Sequence, residues 1–339
     1  MTALAFADRP WDSQPSFAHR PVMVKAVMEA LAVRPGGLYI DGTVGEGGHA
    51  EAILRAAAGV RLLGIDLDPQ ALARARERLA PFAGAGASVV LVEGNYREIA
   101  QICRERGLGP ANGILLDLGL SSFQLAREGR GFSFQRDDPL DMRYSPHQGI
   151  TAADIVNTYS EEELAEIIWR YGEERRSRRI ARLIVANRPI TTTRELASIV
   201  EQAVGRAKGR TPPATRTFQA LRLAVNQELA NLEAALPQAH GLLDLRARLV
   251  VLTYHSLEDR IVKEFIRRES RDCLCPPSMP VCRCGHRATL RPLFRRTLAP
   301  SPEEVAENPR SHSARLRAAE RAAWDGEPGG QGRQVKHVD

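Results

Sequence analysis

Lysine is nearly missing from this sequence. Lys25, Lys208, Lys263 and Lys336 are the whole complement in a chain with 47 basic residues. Arginine carries the rest. Arginine suits bidentate contacts to phosphate, but a GC-rich genome gives the same bias, so the imbalance alone decides nothing. No apolar run reaches the roughly 18 residues of a membrane-spanning helix. Met1 to Arg20 is polar and carries prolines, and it lacks the apolar core of a secretory signal. Five cysteines in 339 residues do not make a disulfide scaffold. A reducing cytoplasm is the expected compartment, with no membrane partner. No internal repeat of about 20–50 residues is present.

What is there is enough chain for about two domains, with 43% hydrophobic residues to build a sizeable core. The net charge is +6 and the pI about 9.3, which points to an acidic partner such as nucleic acid.

The most informative stretch is Leu38-Tyr-Ile-Asp-Gly-Thr-Val-Gly-Glu-Gly-Gly-His49. It reads as a buried strand, then Asp41, then a glycine-rich loop, then a helix from about Ala50. Such a unit opens a doubly wound nucleotide-binding sheet. Counted from Gly45, the loop fits the dinucleotide fingerprint with Ala50 in the last position. The glycines therefore do not choose the ligand, and a plain tight turn explains them equally well. The charges say more. Asp41 and Glu46 would repel a pyrophosphate and would tolerate a sulfonium or ammonium, which favours S-adenosylmethionine over a nicotinamide dinucleotide.

The following segments extend the sheet. Arg61 to Asp66 is the second strand, and Asp66 stands about 20 residues past the loop, where such folds place an acid against ribose hydroxyls. Asp68-Pro69 opens the next helix as a cap. Ser88 to Asn95 is the third strand, followed by Tyr96, an aromatic placed to lie against an adenine. Gly113 to Asp117 is the fourth. Apolar strands alternating with crossover helices give an α/β fold with a mostly parallel sheet.

From about Leu125 the pattern changes to a Gly-, Asp- and Pro-rich stretch and then to helical segments. Residues 125–234 read as an inserted, mainly helical domain. Residues 1–124 and 235–325 form the sheet domain, and 326–339 a disordered tail. The insertion carries a basic run, Arg175, Arg176, Arg178, Arg179 and Arg182, which is as readily a solvated helix face as an RNA contact. A loop with Arg206, Lys208 and Arg210 is a better phosphate-contact candidate. Thr215 to Leu236 reads as one long amphipathic helix, with Phe218, Leu221, Val225, Leu229 and Leu232 on one face. Leu249 to Thr253 returns the chain to the sheet as a fifth strand. Segments near Pro292–Leu298 and Ala314–Ala322 are candidates to close it, the second as helical as it is extended.

Three constellations invite chemistry. His255 follows the fifth strand at the sheet's carboxyl edge, where a histidine can take a proton or orient a base. Ser121, Ser122 and His255 lack the G-x-S-x-G elbow of a hydrolase. Cys273, Cys275, Cys282 and Cys284 form C-x-C-x6-C-x-C, which suits a tetrahedral zinc but also a loop of free thiols. Cys103 reads as a buried helix residue.

Several runs are together similar to one family. They include Asp41-Gly-Thr-Val-Gly-Glu-Gly-Gly-His49, Ile114-Leu-Leu-Asp-Leu-Gly-Leu-Ser-Ser122, Arg130-Gly-Phe-Ser-Phe134, Pro213-Ala-Thr-Arg-Thr-Phe-Gln219, His255-Ser-Leu-Glu-Asp-Arg260 and Glu307-Asn-Pro-Arg310. The chain resembles the bacterial small-subunit rRNA cytosine-N4 methyltransferases (the RsmH or MraW family) from about His19 to Trp324. The resemblance implies a class I, Rossmann-like methyltransferase sheet with a helical insertion, S-adenosylmethionine as cofactor, and N4-methylation of a cytidine in the decoding centre of 16S rRNA. It implies the small ribosomal subunit as partner and RNA recognition by the insertion. It implies cofactor contacts from Gly47, Gly48, His49, Asp66, Tyr96, Asp117 and Gln124. Here the family's common Ser-Ser-Pro-Gln-Leu-Asp reads Ser121-Ser-Phe-Gln-Leu-Ala126, which weakens the Gln124 assignment. Asp117 and His255 are the candidate catalytic residues, expected to orient the amine. A non-enzymatic nucleic-acid-binding role and a nicotinamide oxidoreductase are the alternatives. Sequence sets no oligomeric state, and a dimer is compatible with it.

Overall fold

The computed structural model describes residues 21–82, 87–120, 128–147, 149–205, 212–276, 278–279 and 281–323. The expectations for Met1 to Arg20, Ser121, Ser122, Gln124, the Arg206–Arg210 loop and the tail lie outside them.

Helix α1 (Val24–Leu31) leads into strand β1 (Leu38–Asp41). Then come α2 (Gly48–Ala56), β2 (Arg61–Asp66), α3 (Pro69–Leu79), β3 (Ser88–Glu93), α4 (Ile99–Glu105) and β4 (Ala111–Asp117). β1 is buried along its whole length, as are Leu62, Leu63 and Ile65 of β2 and Ile114, Leu115 and Leu116 of β4. Strands covered on both faces are the reason these segments read as continuous apolar runs. With β5 (Leu243–Thr253), β6 (Leu290–Pro292) and β7 (Arg315–Arg321), the sheet order is β3-β2-β1-β4-β5-β7-β6. β1 to β5 run parallel, and β7 is antiparallel to both its neighbours. This is the mostly parallel α/β sheet that the alternation of apolar strands and helices predicts. One apolar core lies on each face of the sheet, and no helix among the described residues is long and apolar enough to cross a membrane.

Between β4 and β5 stand α5 (Ala152–Thr158), α6 (Glu161–Gly172), α7 (Ser177–Ala186), α8 (Thr193–Val204) and α9 (Thr215–Asn226). They share a third core of their own. Their starts are written locally. Thr151 with Asp154, Ser160 with Glu163 and Thr192 with Glu195 each form a reciprocal capping box.

The single helix expected from Thr215 to Leu236 is two. α9 ends at Asn226, Gln227 takes a left-handed φ of 50°, and α10 (Glu228–Leu242) begins after it. The Asn226 side chain fixes the break. Its Oδ1 accepts from the Tyr144 N–H at 2.8 Å, and its Nδ2 donates to the Met142 carbonyl at 2.8 Å. The halves serve different cores: Phe218, Leu221 and Val225 belong to the insertion, and Leu232 and Leu236 to the sheet. A one-residue break leaves the helical period nearly in phase, so spacing alone does not reveal it.

β5 (Leu243–Thr253) starts earlier than the apolar run suggests, and α11 (Ser256–Glu269) follows it. β6 (Leu290–Pro292), the short α12 (Pro302–Glu307) and β7 (Arg315–Arg321) complete the chain. The ambiguous segment near Ala314–Ala322 is therefore a strand, paired to β5 with Leu252 opposite Leu316.

Candidate active site at the carboxyl edge of the sheet

A cavity of about 440 Å³ opens where β1, β2, β4 and β5 end, roofed by the insertion. Thr43, Gly45, Asp66, Tyr96, Asp117 and Tyr254 line it from the sheet. Phe132, Phe134, Tyr144 and Phe218 line it from the insertion.

The glycine loop is held to the strand ends by backbone bonds. Gly42 N–H donates to the Leu115 carbonyl and Val44 N–H to the Ile65 carbonyl, both at 2.9 Å. Gly45 and Gly47 both take left-handed φ values, 52° and 82°, which glycine adopts without steric cost. Their roles differ. Gly45 lines the cavity, whereas Gly47 lies off it and packs on α3, where a Cβ would touch Ala75 at 3.4 Å. Gly48 lines the cavity, and a Cβ there would sit 2.4 Å from Pro21 Cγ.

Asp66 ties the loop to the end of β2. Its Oδ2 accepts from the Gly45 N–H and its Oδ1 from the Asp68 N–H, each at 2.8 Å. Burial pushes the Asp66 carboxyl up to about 6, against the pull of these amides. Asp68 is the cap of α3, accepting from the Gln70 N–H at 3.0 Å. Asp68 thus takes the capping role that the spacing allowed, and Asp66 is left facing the cavity.

Glu46 requires a correction. Its Oε1 accepts from Arg74 Nη1 of α3 at 2.7 Å, so its charge is matched and it no longer argues against a phosphate. The negative character of the floor comes from Asp66 and Asp117, with buried Asp41 behind them. Burial raises Asp41 to about 7, although neighbouring His49 and the Thr43 amide draw it down.

Asp117 gathers the remaining strand ends. Its backbone N–H donates to Thr43 Oγ1 at 2.6 Å. Its Oδ1 accepts from the Tyr254 hydroxyl at 2.7 Å, and its Oδ2 lies 3.4 Å from His49 Nδ1. His49 is buried and bonds the Val22 carbonyl through Nε2 at 2.9 Å. Burial disfavours a charged His49, but the Asp117 carboxylate holds its pKa above the usual histidine value. Tyr96 lines the cavity beside Gly42, whose missing Cβ leaves room for Leu116, the Cδ2 of which lies 2.6 Å from where it would stand.

His255 also lines the cavity, yet its ring turns to Glu258. Nδ1 accepts weakly from the Glu258 N–H at 3.4 Å, and Nε2 lies 3.2 Å from Glu258 Oε1. The residue that meets Asp117 is the preceding one, Tyr254. Sequence reasoning passed over Tyr254 and Glu258 as neighbours of the histidine. It also passed over the aromatic group from the insertion, where Phe134 meets Phe218 edge-on at 5.1 Å and Phe132 lies 5.8 Å from Tyr144. The signal for the first was the Gly131-Phe-Ser-Phe134 punctuation in an otherwise polar stretch. Nothing local marked the buried pair Arg222–Glu228, whose guanidinium and carboxylate meet at 2.8 and 3.0 Å on the cavity wall.

With this site in place, residues 16–322 match the model of the MraW methylase family. The chain belongs to that family. It is 54% identical to a ribosomal RNA small subunit methyltransferase H from Dehalococcoides mccartyi, over 92% of this chain and 88% of the relative. It is 55% identical to the protein of the same name from Thermomicrobium roseum, over 92% of this chain and 96% of the relative. The two sides of the cavity differ in character: acidic and glycine-lined on the sheet side, aromatic on the insertion side.

Proposed function

We propose that this chain methylates small-subunit ribosomal RNA with S-adenosylmethionine, and that the acceptor is the exocyclic N4 amine of a cytidine in the decoding centre of 16S rRNA. The observation that carries this reading is the acidic floor beneath a bare glycine loop, in a chain of the MraW methylase family. On the floor, Asp66 and Asp117 lack an arginine or lysine partner among the described residues, whereas Glu46 and Glu228 are each matched by an arginine. A ligand bearing a sulfonium and an ammonium fits that field; a pyrophosphate does not.

S-adenosylmethionine supplies an electrophilic methyl on sulfur. The chain's own residues supply position, which accounts for much of the rate in such transfers. Asp66 keeps acceptor capacity for ribose hydroxyls while one oxygen holds the glycine loop and the other the turn into α3. Tyr96 offers its ring face to the adenine. Gly45 and Gly48 let the backbone come close, and Gln124 is a further contact expected from the family resemblance. Gly47 serves the loop's packing on α3. Phe132, Phe134, Tyr144 and Phe218 form an apolar roof suited to stack a base taken out of its strand.

Cytosine N4 is a weak nucleophile because its lone pair is delocalised into the ring. An acceptor for one amine hydrogen returns density to nitrogen. Asp117 and His255 are the candidates, and Tyr254 and His49 orient the first as Glu258 orients the second. Residues 125–234 act as the RNA-recognition insertion. Arg175, Arg178 and Arg179 are exposed along α7 and the turn before it, close in sequence to half-exposed Trp169. Arginine beside an exposed aromatic suits an RNA backbone with unstacked bases.

The deciding experiment is transfer of labelled methyl from S-adenosylmethionine to purified 30S subunits, followed by nucleoside mass spectrometry. Label in N4-methylcytidine, or in its 2′-O-methylated form where that ribose is already modified, is the expected result. Label in another nucleoside removes the N4 assignment. Cofactor binding without label on 30S subunits, naked rRNA or assembly intermediates removes the substrate.

A further inference from the structure

The chain between α11 and β6 does not take part in the site described above. It leaves the body at Glu269 and returns at Thr289, where the Thr289 N–H donates to the Glu269 carbonyl at 2.8 Å. Two more bonds brace this neck: His286 Nε2 with the Arg268 carbonyl at 3.0 Å, and the Ala288 N–H with Asp272 Oδ1 at 3.2 Å. Beyond the neck, no described residue from 270 to 289 joins a hydrophobic core. The lobe's own apolar side chains face outward, with Leu274, Met279 and Val281 38%, 43% and 67% exposed. A segment with no core needs another source of order.

The cysteines meet inside this lobe. The Sγ atoms of Cys273, Cys275, Cys282 and Cys284 all lie within 4.8 Å of one another. Cys273 to Cys282 is 3.3 Å, Cys282 to Cys284 is 3.6 Å and Cys284 to Cys273 is 3.8 Å. None of the four is in a disulfide. Zinc bonds thiolate sulfur at about 2.3 Å, which sets the edge of a regular tetrahedron at about 3.8 Å. The observed spacings approach that edge. A polynuclear iron–sulfur cluster spreads its cysteine sulfurs more widely.

The surrounding backbone is arranged for sulfur as an acceptor. The Leu274 N–H donates to Cys284 Sγ at 3.3 Å, the Cys275 N–H to Cys273 Sγ at 3.4 Å, and the Arg283 N–H to Cys275 Sγ at 3.4 Å. Such outer bonds orient thiolates and spread their charge. Gly285, at φ 62°, reverses the chain directly after the last cysteine.

We propose that Cys273, Cys275, Cys282 and Cys284 hold one zinc ion as four thiolates, and that this ion replaces a hydrophobic core in ordering the lobe. Binding releases the four thiol protons to solvent. The resulting centre carries two net negative charges, and exposed Arg271, Arg283 and Arg287 lie close in sequence to offset them. Four protein ligands leave no open position, so the site is structural.

The test is made on the full chain, purified under reductant and without chelator. Elemental analysis for zinc and iron is paired with the optical spectrum after exchange for cobalt(II). We expect one zinc per chain and, with cobalt, the thiolate charge-transfer and tetrahedral d–d bands. The double variant Cys282→Ser, Cys284→Ser loses the metal and becomes protease-sensitive between Cys275 and Cys282, while the melting of the rest of the chain stays put. Wild-type chain that keeps no zinc after reconstitution and desalting overturns the proposal. So do zinc retained equally by the double variant, iron as the bound metal, or a pair of disulfides found by mass spectrometry. If the variant does not fold, the wild-type metal content and cobalt spectrum decide alone.

Discussion

The Tyr254 hydroxyl donates to Asp117 Oδ1 at 2.7 Å, joining the end of β5 to the end of β4. On its other side Asp117 faces His49, and His49 reaches the Val22 carbonyl. One carboxylate thereby couples two strand ends, the first turn of α2 and the segment before α1. Burial and the Asp117 charge hold the tyrosine pKa well above its usual value, so the phenol stays a donor. Tyr254→Phe removes that donor and little else. A hydrogen bond to a charged group is worth about 1.5–3 kcal/mol. If Asp117 must be aimed at the amine, kcat falls roughly 10- to 100-fold while cofactor affinity by calorimetry changes little. An unchanged kcat would show that the orientation of Asp117 is irrelevant to the chemistry.

Asp66 makes a different prediction, because it holds the loop as well as facing the cavity. Asp66→Ala frees the Gly45 amide and removes the ribose acceptor together. Cofactor affinity falls about 100-fold or more, consistent with loss of charge-assisted bonds, and methyl transfer at saturating cofactor suffers less. Asp66→Asn keeps one carbonyl acceptor and falls between. Calorimetric titration of the three proteins ranks them, and an Asp66→Ala chain that binds as tightly as wild type removes Asp66 from the site.

The strand-by-strand layout was legible because β1, β2 and β4 are covered on both faces and appear as apolar runs, and the half-buried edge strand β3 is an apolar run as well. The cap at Asp68 was legible because capping is local chemistry. What was hidden depends on distance in sequence. That Glu46 is matched by Arg74, 28 residues on, has no local trace. Neither has the meeting of Tyr254 with Asp117, 137 residues apart. The break at Gln227 was hidden for another reason: two helices in near-continuous phase carry the same pattern as one. His255 illustrates the limit from the other side. Its position at the carboxyl edge was readable, but the direction of its ring, toward Glu258, was not.

The pH dependence of cofactor binding follows from two raised carboxyls. Asp66 is pushed up to about 6 and Asp41 to about 7, both by burial first. Each is raised above its unfolded value, so the folded cofactor-free chain binds extra protons between roughly pH 4 and 7. These groups therefore lower its stability as pH rises through that window, and add no further loss above it. A bound cation favours the ionised forms and reverses the trend. His49 acts in the same sense, since losing its proton removes a positive charge from the cavity wall. Cofactor affinity is expected to rise with pH up to about 7 and then level off, with net proton release on binding near pH 6. Titrations in two buffers of different ionisation enthalpy measure both. A flat affinity across this range, with no proton release, would contradict an acidic floor as the source of attraction for the cationic ligand.

The buried pair Arg222–Glu228 spans the break between α9 and α10 and so joins the insertion to the sheet. Removing one partner strands the other charge. Glu228→Ala or Arg222→Ala alone is expected to cost about 3–5 kcal/mol, whereas an apolar pair of similar volume costs far less. Chemical denaturation of the singles and of Arg222→Met, Glu228→Leu reports this. Equal losses in all three would mean that packing, not charge, governs the position.

Gly48→Ala tests whether the segment before α1 is part of the site. The glycine sits in an ordinary helical start, so backbone strain is not the issue; the added Cβ meets Pro21 Cγ at 2.4 Å. Pro21 and Val22 must move away, and with them goes the carbonyl that anchors His49 Nε2. The alanine itself favours the helix by up to about 1 kcal/mol over glycine. Stability is thus expected to hold or fall slightly, because the gain in α2 offsets part of the clash. Cofactor affinity is expected to drop several-fold, because Val22, Gly48 and His49 all line the cavity. The contrast between the two readouts carries the argument. A loss of affinity at near-wild-type stability places the Pro21–Val22 wall in the binding site. Unchanged affinity would show that this wall yields freely and that His49 needs no anchor.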